Sequence, residues 1–445
     1  MQFFRNLRNR IDAKVPMNWV ALKHLVTVVT LSSIANLFTV GFYVIMSRKL
    51  GPAEYSILAV LLAIFQVAAV VAGVVSNIII KYITYFKAKS QYDKISTLLS
   101  ASMRYLMAFG FLIFLLLTLF SADIAEFFRI PSALSVILLG MFIWSFLFIS
   151  ALLSAINGLQ WYITLGLNRI FDALATLLLG ILLVYLFALG VKGALVAMVL
   201  GALATIPFCL WSLRTILSIK KTRLGNIGLS QYILLAAAAS VCIGILLNLD
   251  VILVKYFFKE VESGFYGALS LIGTVVFFIS GALNTIIFPK VSESHSNGED
   301  TSEYLRFGML WTAVGCIIVI TAYFLFPDFI VLVMLGSEYD IAGYIGIYAI
   351  AMSLLALSNI LVVYNLAIKR WSILYVVVPA VFLELLLIYL FHQTLLHVVI
   401  VVLLFHVILF AALAVLCRGQ LEDMWHARSG YKKFPASVLF KLHKE

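Results

Sequence analysis

The sequence predicts an all-helical membrane protein with about twelve transmembrane helices, arranged as two six-helix lobes around a central cavity. The chain has 445 residues, of which 64% are hydrophobic and only 11% are charged. A soluble domain is closer to half apolar and a quarter charged. Apolar runs of about 20 residues, long enough to cross a bilayer as helices, recur along the chain. These runs lack the alternation of a membrane β-barrel.

Twelve such runs are predicted as membrane spans, numbered 1 to 12 in chain order. They cover residues 25–46, 57–80, 104–122, 133–156, 166–189, 193–213, 231–257, 265–288, 307–326, 342–367, 372–391 and 395–416. The connections between them are short. No extramembrane domain of the kind that carries a catalytic centre is therefore expected, and the protein is predicted not to be an enzyme.

Basic residues are distributed unequally between the two sides of this topology. Of the 31 Lys and Arg residues, 25 fall in the termini, in the connections after even-numbered spans, or beside them. The other six are Arg48, Lys49, Arg129, Lys192, Lys255 and Lys259. The positive-inside rule places both termini in the cytoplasm, as expected for a multi-pass protein of the inner membrane. The net charge of +11 then needs no nucleic-acid partner.

Two stretches indicate an internal repeat. "RKLGPAEYSILAV" (48–60) is similar to "YFFKEVESGFYGALS" (256–270) at an offset of 208, and Asn77 matches Asn284 at an offset of 207. Six spans per half give both halves the same orientation, an arrangement known in transporters. The predicted units are a basic amphipathic arm (1–24), a first lobe (25–217), a cytoplasmic linker (218–230), a second lobe (231–417) and a basic tail (418–445).

The same two turns carry a family resemblance. The first reads Leu-Gly-Pro-x-Glu-Tyr from Leu50, and the second ends in Gly-Phe-Tyr at Gly264. Together with "FISGALNTIIFPKVSE" (278–293), they resemble polysaccharide-export proteins of the multidrug/oligosaccharidyl-lipid/polysaccharide exporter superfamily. The resemblance implies two lobes that rock around a cavity and flip lipid-linked oligosaccharides. Twelve spans argue against the fourteen-span flippases of peptidoglycan precursors.

Two carboxyl groups lie inside predicted spans, where an ionised group is costly. Asp250 is in span 7, and it is predicted either to couple transport to an ion or to form a buried structural hydrogen bond. Glu384 is in span 11, five residues after Pro379, a proline that can kink the helix. Both are candidates for binding H⁺ or Na⁺. No other cofactor and no metal site is expected.

Other polar residues are candidates for a substrate cavity: Arg48, Asn77, Asn157, Arg169, Asp172, Lys255, Asn284 and Asn365. Each has a simpler alternative. Arg48 can anchor at the interface, Lys255 can extend its ammonium group to the membrane surface, and Arg169 can pair with Asp172 across one helical turn. The amides can join neighbouring helices by hydrogen bonds.

The predicted function is an alternating-access flippase that moves a polyprenyl-pyrophosphate-linked oligosaccharide to the outer leaflet for cell-surface polysaccharide synthesis. Membrane lipids, and a polysaccharide polymerase or glycosyltransferases, are the expected partners. Two alternatives stay open. One is an ion-coupled antiporter of organic cations, and the other is a non-transporting membrane subunit of a polysaccharide machine.

Overall fold

The structure is a computed structural model that describes residues 19–222, 231–296 and 300–420. Within these ranges the chain forms helices and short connections, without strands. The long helices are Trp19–Ala88, Tyr92–Leu119, Ala133–Gly158, Tyr162–Ile181, Gly190–Leu217, Gln231–Leu246, Leu249–Phe257, Glu260–Ser296, Ser302–Leu325, Ala342–Ala367, Leu374–Leu390 and Leu395–Leu416.

The first long helix contains two membrane crossings. Gly51 has φ 69° and ψ 172°, a conformation that breaks the helix and that glycine adopts at little cost. Pro52 then begins the next helical segment, where its missing N–H is not needed. Residues 19–50 are therefore span 1 and residues 52–88 are span 2. Eleven helices in the described part of the chain are long and apolar enough to cross a membrane. Because the first of them contains two crossings, they provide twelve crossings, as predicted.

Several predicted boundaries are wrong, although every predicted span is present. Span 3 begins at Tyr92 rather than at 104, and span 8 continues past Pro289 to Ser296. Span 7 is interrupted at residues 247–248, between the helices Gln231–Leu246 and Leu249–Phe257. Spans 10 and 12 match their predicted ranges to the residue.

The bundle has two faces, named here by the connections they carry. The odd-loop face carries the connections after odd-numbered spans, and the even-loop face carries those after even-numbered spans. Two short helices that the sequence did not predict, Ser121–Phe127 and Pro327–Met334, lie on the odd-loop face. Each is followed by a residue with positive φ, Arg129 (52°) and Gly336 (100°). These features recur at an offset near 207 residues and support the internal repeat.

Spans 1–6 pack with one another as the first lobe, and spans 7–12 pack with one another as the second lobe. The lobes meet mainly through spans 1 and 2 of the first and spans 7 and 8 of the second. A Cβ atom on Gly267 would lie 2.5 Å from that of Ala59, its equivalent at offset 208. Contact between equivalent positions is expected at an axis of twofold pseudosymmetry.

The predicted arm lies almost wholly outside the described residues, as do most of the linker and tail. The beginning of the linker is described, and it is bound to span 3. Thr222 donates a hydrogen bond to Asp93 Oδ2 at 2.7 Å, and Ser96 donates one to the Ile219 carbonyl oxygen at 3.1 Å. This segment thus follows the even-loop face closely as it leaves the first lobe.

Candidate functional site

A cavity of about 400 Å³ lies within the first lobe, enclosed by spans 1, 2, 4, 5 and 6. Hydroxyl and amide side chains of Ser, Thr and Asn line it: Thr39, Ser76, Ser150, Ser154, Asn157 and Thr176. Ser76, Ser154 and Asn157 lie in the halves of spans 2 and 4 that are nearer the even-loop face. Ser76 and Ser154 are hydrogen-bonded to each other across spans 2 and 4. Of these six residues, only Asn157 was predicted. Serine and threonine are common in buried helices, so their sequence positions carry little signal.

Arg169 supplies the cation of this cavity. It lies seven residues after Tyr162, the first residue of span 5, about 10 Å along the helix from the even-loop face. Its guanidinium makes no ion pair or hydrogen bond in the described part of the chain. A guanidinium presents five donors in a fixed fork, so Arg169 is free to bind an anionic group that enters the cavity.

Asp172 lines the same cavity, but it does not form the predicted ion pair with Arg169. Its carboxylate instead accepts a long hydrogen bond of 3.4 Å from Thr205 Oγ1 on span 6. The pairing alternative is therefore wrong. Both charged groups line the cavity, as expected for the alternative in which they contact a substrate.

Aromatic side chains form the part of the cavity nearer the odd-loop face. The ring of Phe65 lies 4.5 Å from that of Phe142 and 4.9 Å from that of Phe146, measured between centroids. Phe42 and Tyr43 of span 1 complete this part of the wall. The cavity is therefore amphipathic along the membrane normal, with charge at one end and aromatic surface at the other.

The second lobe has a different polar centre, built around Asp250. Its side chain is 0% exposed. Tyr266 and Tyr348 donate hydrogen bonds to Asp250 Oδ2 at 2.9 and 2.7 Å, and the backbone N–H of Val251 donates to Oδ1 at 2.8 Å. Spans 7, 8 and 10 thus meet at one carboxyl group.

Glu384 of span 11 belongs to the same centre. It is also 0% exposed, and it interacts electrostatically with Asp250. Neither of its carboxyl oxygens has a hydrogen-bond partner in the described residues. A buried carboxyl group without partners is rare, and it needs a proton, an ion or a water to compensate it. The described part of the chain brings no three His, Cys, Asp or Glu side chains together as a metal site.

Neither carboxyl group borders the described cavity, contrary to the expectation of a shared wet passage. The cavity is lined only by the first lobe, whereas Asp250 and Glu384 are enclosed within the second. The predicted cavity residues that do line it, Asn157, Arg169 and Asp172, therefore lie in a different lobe from Asp250 and Glu384.

The other predicted cavity residues lie elsewhere. Lys255 does not extend to the membrane surface: it is 2% exposed and donates to Ser56 Oγ at 2.7 Å, across the boundary between the lobes. Asn77 is exposed on span 2 and does not line the cavity. Asn365 is buried and donates to Cys417 Sγ at 2.9 Å, which supports the simpler interhelical alternative. Asn284 Oδ1 has no hydrogen-bond partner in the described residues.

Arg48 lies on the odd-loop face. Its Nη2 donates to the carbonyl oxygens of Leu332, at 2.8 Å, and of Val333. Both acceptors belong to the short helix Pro327–Met334 of the second lobe. Like Lys255, Arg48 therefore connects the two lobes.

A family model described as "Polysaccharide biosynthesis protein" matches residues 45–343, about two thirds of the chain. The chain belongs to this family. The match begins near the end of span 1 and covers the first lobe, the linker and spans 7 to 9. It therefore includes Asp250 and the cavity residues of spans 2, 4, 5 and 6, whereas Glu384 lies beyond it. A comparison with curated protein sequences finds no match for this polysaccharide biosynthesis protein.

Solved structures of transporters share the fold of this polysaccharide biosynthesis protein. A multidrug resistance MATE family transporter of the MOP superfamily, in an inward-facing conformation, is 14% identical with a TM-score of 0.68, over 88% of this chain and 96% of that one. A MATE transporter from Vibrio cholerae is 12% identical with a TM-score of 0.62, over 91% and 99%.

A third structural relative is a MOP superfamily transporter from Pyrococcus furiosus, whose title describes a binding pocket of reversed polarity. It is 14% identical with a TM-score of 0.58, and the match covers 90% of this chain and 94% of that one. At these identities the likeness concerns the fold. This member of the polysaccharide biosynthesis family is a multi-pass membrane protein with a MOP transporter fold.

Proposed function

We propose that the protein is a flippase for a polyprenyl-pyrophosphate-linked oligosaccharide, and that the first-lobe cavity receives the polar part of this lipid. The observation that carries the proposal is the unpaired Arg169 guanidinium in an amphipathic cavity. The polysaccharide biosynthesis family and the transporter fold support the same function. Glycosyltransferases would supply the substrate, and a polysaccharide polymerase would use the product.

The orientation proposed here follows the distribution of basic residues. The even-loop face would be cytoplasmic and the odd-loop face would be outside the inner membrane. In this orientation Arg169 lies about 10 Å inside the cytoplasmic end of span 5. That depth is suited to a lipid-linked phosphate, because the polyprenyl tail can stay in the bilayer beside the lobe.

The chemistry of the cavity suits the two polar parts of such a lipid. Arginine binds phosphate oxygens through paired, charge-assisted hydrogen bonds. The hydroxyl and amide groups of Ser76, Ser154 and Asn157 can donate to sugar hydroxyls or accept from them. The Phe65–Phe142–Phe146 cluster offers flat apolar surface for the C–H faces of sugar rings. The substrate would then enter with its sugars toward the odd-loop face and its phosphates near Arg169.

We further propose that Asp250 and Glu384 couple transport to a cation, H⁺ or Na⁺. Both groups are buried and close enough to interact, and the Glu384 oxygens are unsatisfied. A bound proton would give Glu384 a neutral form that is less costly to bury. Because these groups lie in the other lobe, coupling would act through the movement of the lobes rather than by contact with the substrate.

A specific observation favours the antiporter alternative. Asp172 and the aromatic cluster could bind an organic cation, since aromatic faces and a carboxylate both attract positive charge. Asp172→Asn separates the two functions. It should abolish the transport of a probe such as tetraphenylphosphonium by an antiporter, whereas a flippase that relies on Arg169 should retain most of its activity.

The decisive experiment is a flipping assay in proteoliposomes. The probe is a polyprenyl-pyrophosphate-linked oligosaccharide with a fluorescent sugar, and a membrane-impermeant quencher reports the leaflet in which it resides. Arg169→Gln should lower the flipping rate at least tenfold, because a charge-assisted contact to phosphate is lost. Arg169→Lys should retain part of the rate, since it keeps the charge without the fork.

The matched control is Arg214→Gln. Arg214 is another exposed arginine near the even-loop face of the first lobe, but it lies over the ring of Trp211 at 5.2 Å rather than in the cavity. Arg214→Gln should leave the flipping rate unchanged. Wild-type flipping by Arg169→Gln would refute the proposed site, and an inactive wild-type protein in this assay would refute the flippase.

A further inference from the structure

Contacts between the lobes include a group on the odd-loop face. There, hydrogen bonds join residues 47–56 of the first lobe to residues 255–339 of the second. Tyr339 donates to the Ser47 carbonyl oxygen at 2.8 Å. Burial, reinforced by Glu338, raises the pKa of Tyr339 above its ordinary value, so the hydroxyl group stays a donor. In this conformation the odd-loop face is closed.

Two of these contacts are related by the pseudosymmetry of the repeat. At the end of span 1, Arg48 binds carbonyl oxygens of the short helix Pro327–Met334. At the end of span 7, Tyr256 stacks on Phe127 of the short helix Ser121–Phe127, with centroids 4.5 Å apart and planes 22° apart. Arg48 and Tyr256 are equivalent at the offset of 208. Each lobe therefore extends the end of its first span onto the short helix of the other.

The chemistry of the two contacts differs. The Arg48 contact places a cation at the carboxyl end of a helix, where the terminal carbonyl groups lack partners and the helix dipole is negative. The Tyr256 contact is an aromatic pair with no ionised group. The two contacts are named here the arginine latch (Arg48 with Leu332 and Val333) and the aromatic latch (Tyr256 with Phe127).

Between the latches the lobes form a close seam. A Cβ atom on Gly264 would collide with the Pro52 carbonyl oxygen, and one on Gly267 would lie 2.5 Å from the Ala59 Cβ atom. Lys255 is buried in this seam with the Ser56 hydroxyl as its hydrogen-bond partner, and Glu260 acts on it only at longer range. A buried cation without a carboxylate beside it is costly. The seam therefore contains a group that gains water when the lobes separate, and the latches oppose that separation.

We propose that the arginine latch and the aromatic latch are the two halves of one gate, which keeps the odd-loop face closed until both break. The gate does not depend on which substrate is carried. The gate proposal predicts a distance between the lobes in the absence of substrate. A failure of that prediction would therefore not contradict the proposed function.

The test is a distance measurement by double electron–electron resonance in nanodiscs. Spin labels at Asp123→Cys and Asp328→Cys report the separation of the two short helices, because both positions are exposed on the odd-loop face. Cys242→Ser removes the native cysteine that is only partly buried. The parent protein should show mainly the short distance of the closed face.

Breaking either latch should raise the ratio of separated to closed molecules. Tyr256→Ala should raise it about two- to tenfold, the range expected for an aromatic pair. Arg48→Ala should raise it about tenfold, since its contacts carry a charge. In the double variant Arg48→Ala/Tyr256→Ala, the ratio of separated to closed molecules should be higher than in either single variant. Tyr256→Phe keeps the ring and should restore the closed distribution, which a merely misfolded variant would not do.

The chain offers a matched control on the same face. Lys49 lies over the ring of Tyr185 at 4.9 Å, a cation–aromatic contact contained within the first lobe. Lys49→Ala and Tyr185→Ala remove an exposed cation and an exposed aromatic ring without touching the second lobe. If the latch variants give the same distance distribution as these controls, the gate proposal is wrong.

Discussion

The two lobes share a fold but hold their polar groups in opposite ways. The first lobe encloses a cavity in which Arg169 has no partner. The second lobe buries Asp250 under three hydrogen bonds and leaves Glu384 enclosed without one. Under the proposed function, one lobe offers a charge to a large ligand, whereas the other binds a proton or a small ion.

In the proposed function, this difference divides two tasks between the halves of the repeat. A cavity wide enough for sugars cannot exclude water, and a dry carboxyl site cannot admit sugars. Placing the two in different lobes lets each keep the dielectric environment that its chemistry requires. Conformational coupling between the two sites then has to act through the boundary between the lobes, where Lys255 and the two latches lie.

The largest effect is expected from the carboxyl groups of the second lobe. Asp250→Asn or Glu384→Gln should lower gradient-driven flipping at least tenfold, because an amide cannot gain or lose the coupling cation. Flipping without a gradient should persist, since the first-lobe cavity is unchanged. Proteoliposomes with an imposed proton or sodium gradient measure both rates.

Glu260→Gln is the control for this pair, because Glu260 is an exposed acid in the same lobe. It should retain gradient-driven flipping. If all three variants retain gradient-driven flipping, coupling lies outside the second lobe. The proposed division of tasks between the lobes would then be wrong.

A glycine pair tests whether only the first lobe receives substrate. Gly73 lines the cavity, and a Cβ atom there would meet nothing within 4 Å. Gly281 is its equivalent at offset 208, is equally unobstructed and does not line that cavity. Gly73→Leu should fill part of the cavity without a clash and lower the flipping rate about tenfold, whereas Gly281→Leu should stay near wild type.

The opposite pattern would be informative in the same flipping assay. If Gly281→Leu blocks transport as strongly as Gly73→Leu, the substrate passes between the lobes and contacts both. The assignment of substrate binding to the first lobe would then be wrong.

The sequence predicted the fold well because the bilayer imposes a simple rule. A span needs about 20 apolar residues, and spans 10 and 12 have little else. Span 3 was misplaced because residues 92–103 are polar in composition. Their buried residues Ile95, Leu98 and Leu99 follow helical spacing, which would have revealed the extra turns. The short helix Ser121–Phe127 is below the length at which periodicity is informative.

The site was less predictable, because its contacts join residues far apart in the chain. Asp250 and Glu384 stood out because carboxyl groups are costly inside a membrane. Nothing in span 7 indicates that Tyr348, 98 residues later, donates to Asp250, or that Ser56, 199 residues earlier, accepts from Lys255. The contact of Asp172 with Thr205 of span 6 likewise cannot be read from the sequence of span 5.

A smaller effect, of opposite sign to that of the latch variants, is expected at Lys255. Lys255→Met replaces the buried ammonium group by an apolar side chain of similar length, so the closed seam should become less costly. The ratio of separated to closed molecules should fall about threefold in the spin-label experiment. A rise in that ratio would show that the Lys255–Ser56 hydrogen bond holds the gate closed, instead of opposing it.

The smallest effects are expected where the lobes are alike. Each lobe joins an asparagine to a cysteine on a neighbouring span: Cys209 Sγ donates to Asn168 Oδ1, and Asn365 donates to Cys417 Sγ, both at 2.9 Å. Interhelical hydrogen bonds in membranes contribute about 0.6 kcal/mol. Cys209→Ala and Cys417→Ala should each lower the melting temperature by less than about 1 °C without changing transport.

Cys242→Ala is the reference for these two variants, because Cys242 makes no such bond within the described part of the chain. Equal shifts of the melting temperature in Cys209→Ala and Cys417→Ala would show that the helix packing of the two lobes is alike, although their polar groups differ. A loss of transport in Cys417→Ala alone would instead indicate that span 12 takes part in coupling. The two lobes would then differ in the role of their helix packing as well as in their polar groups.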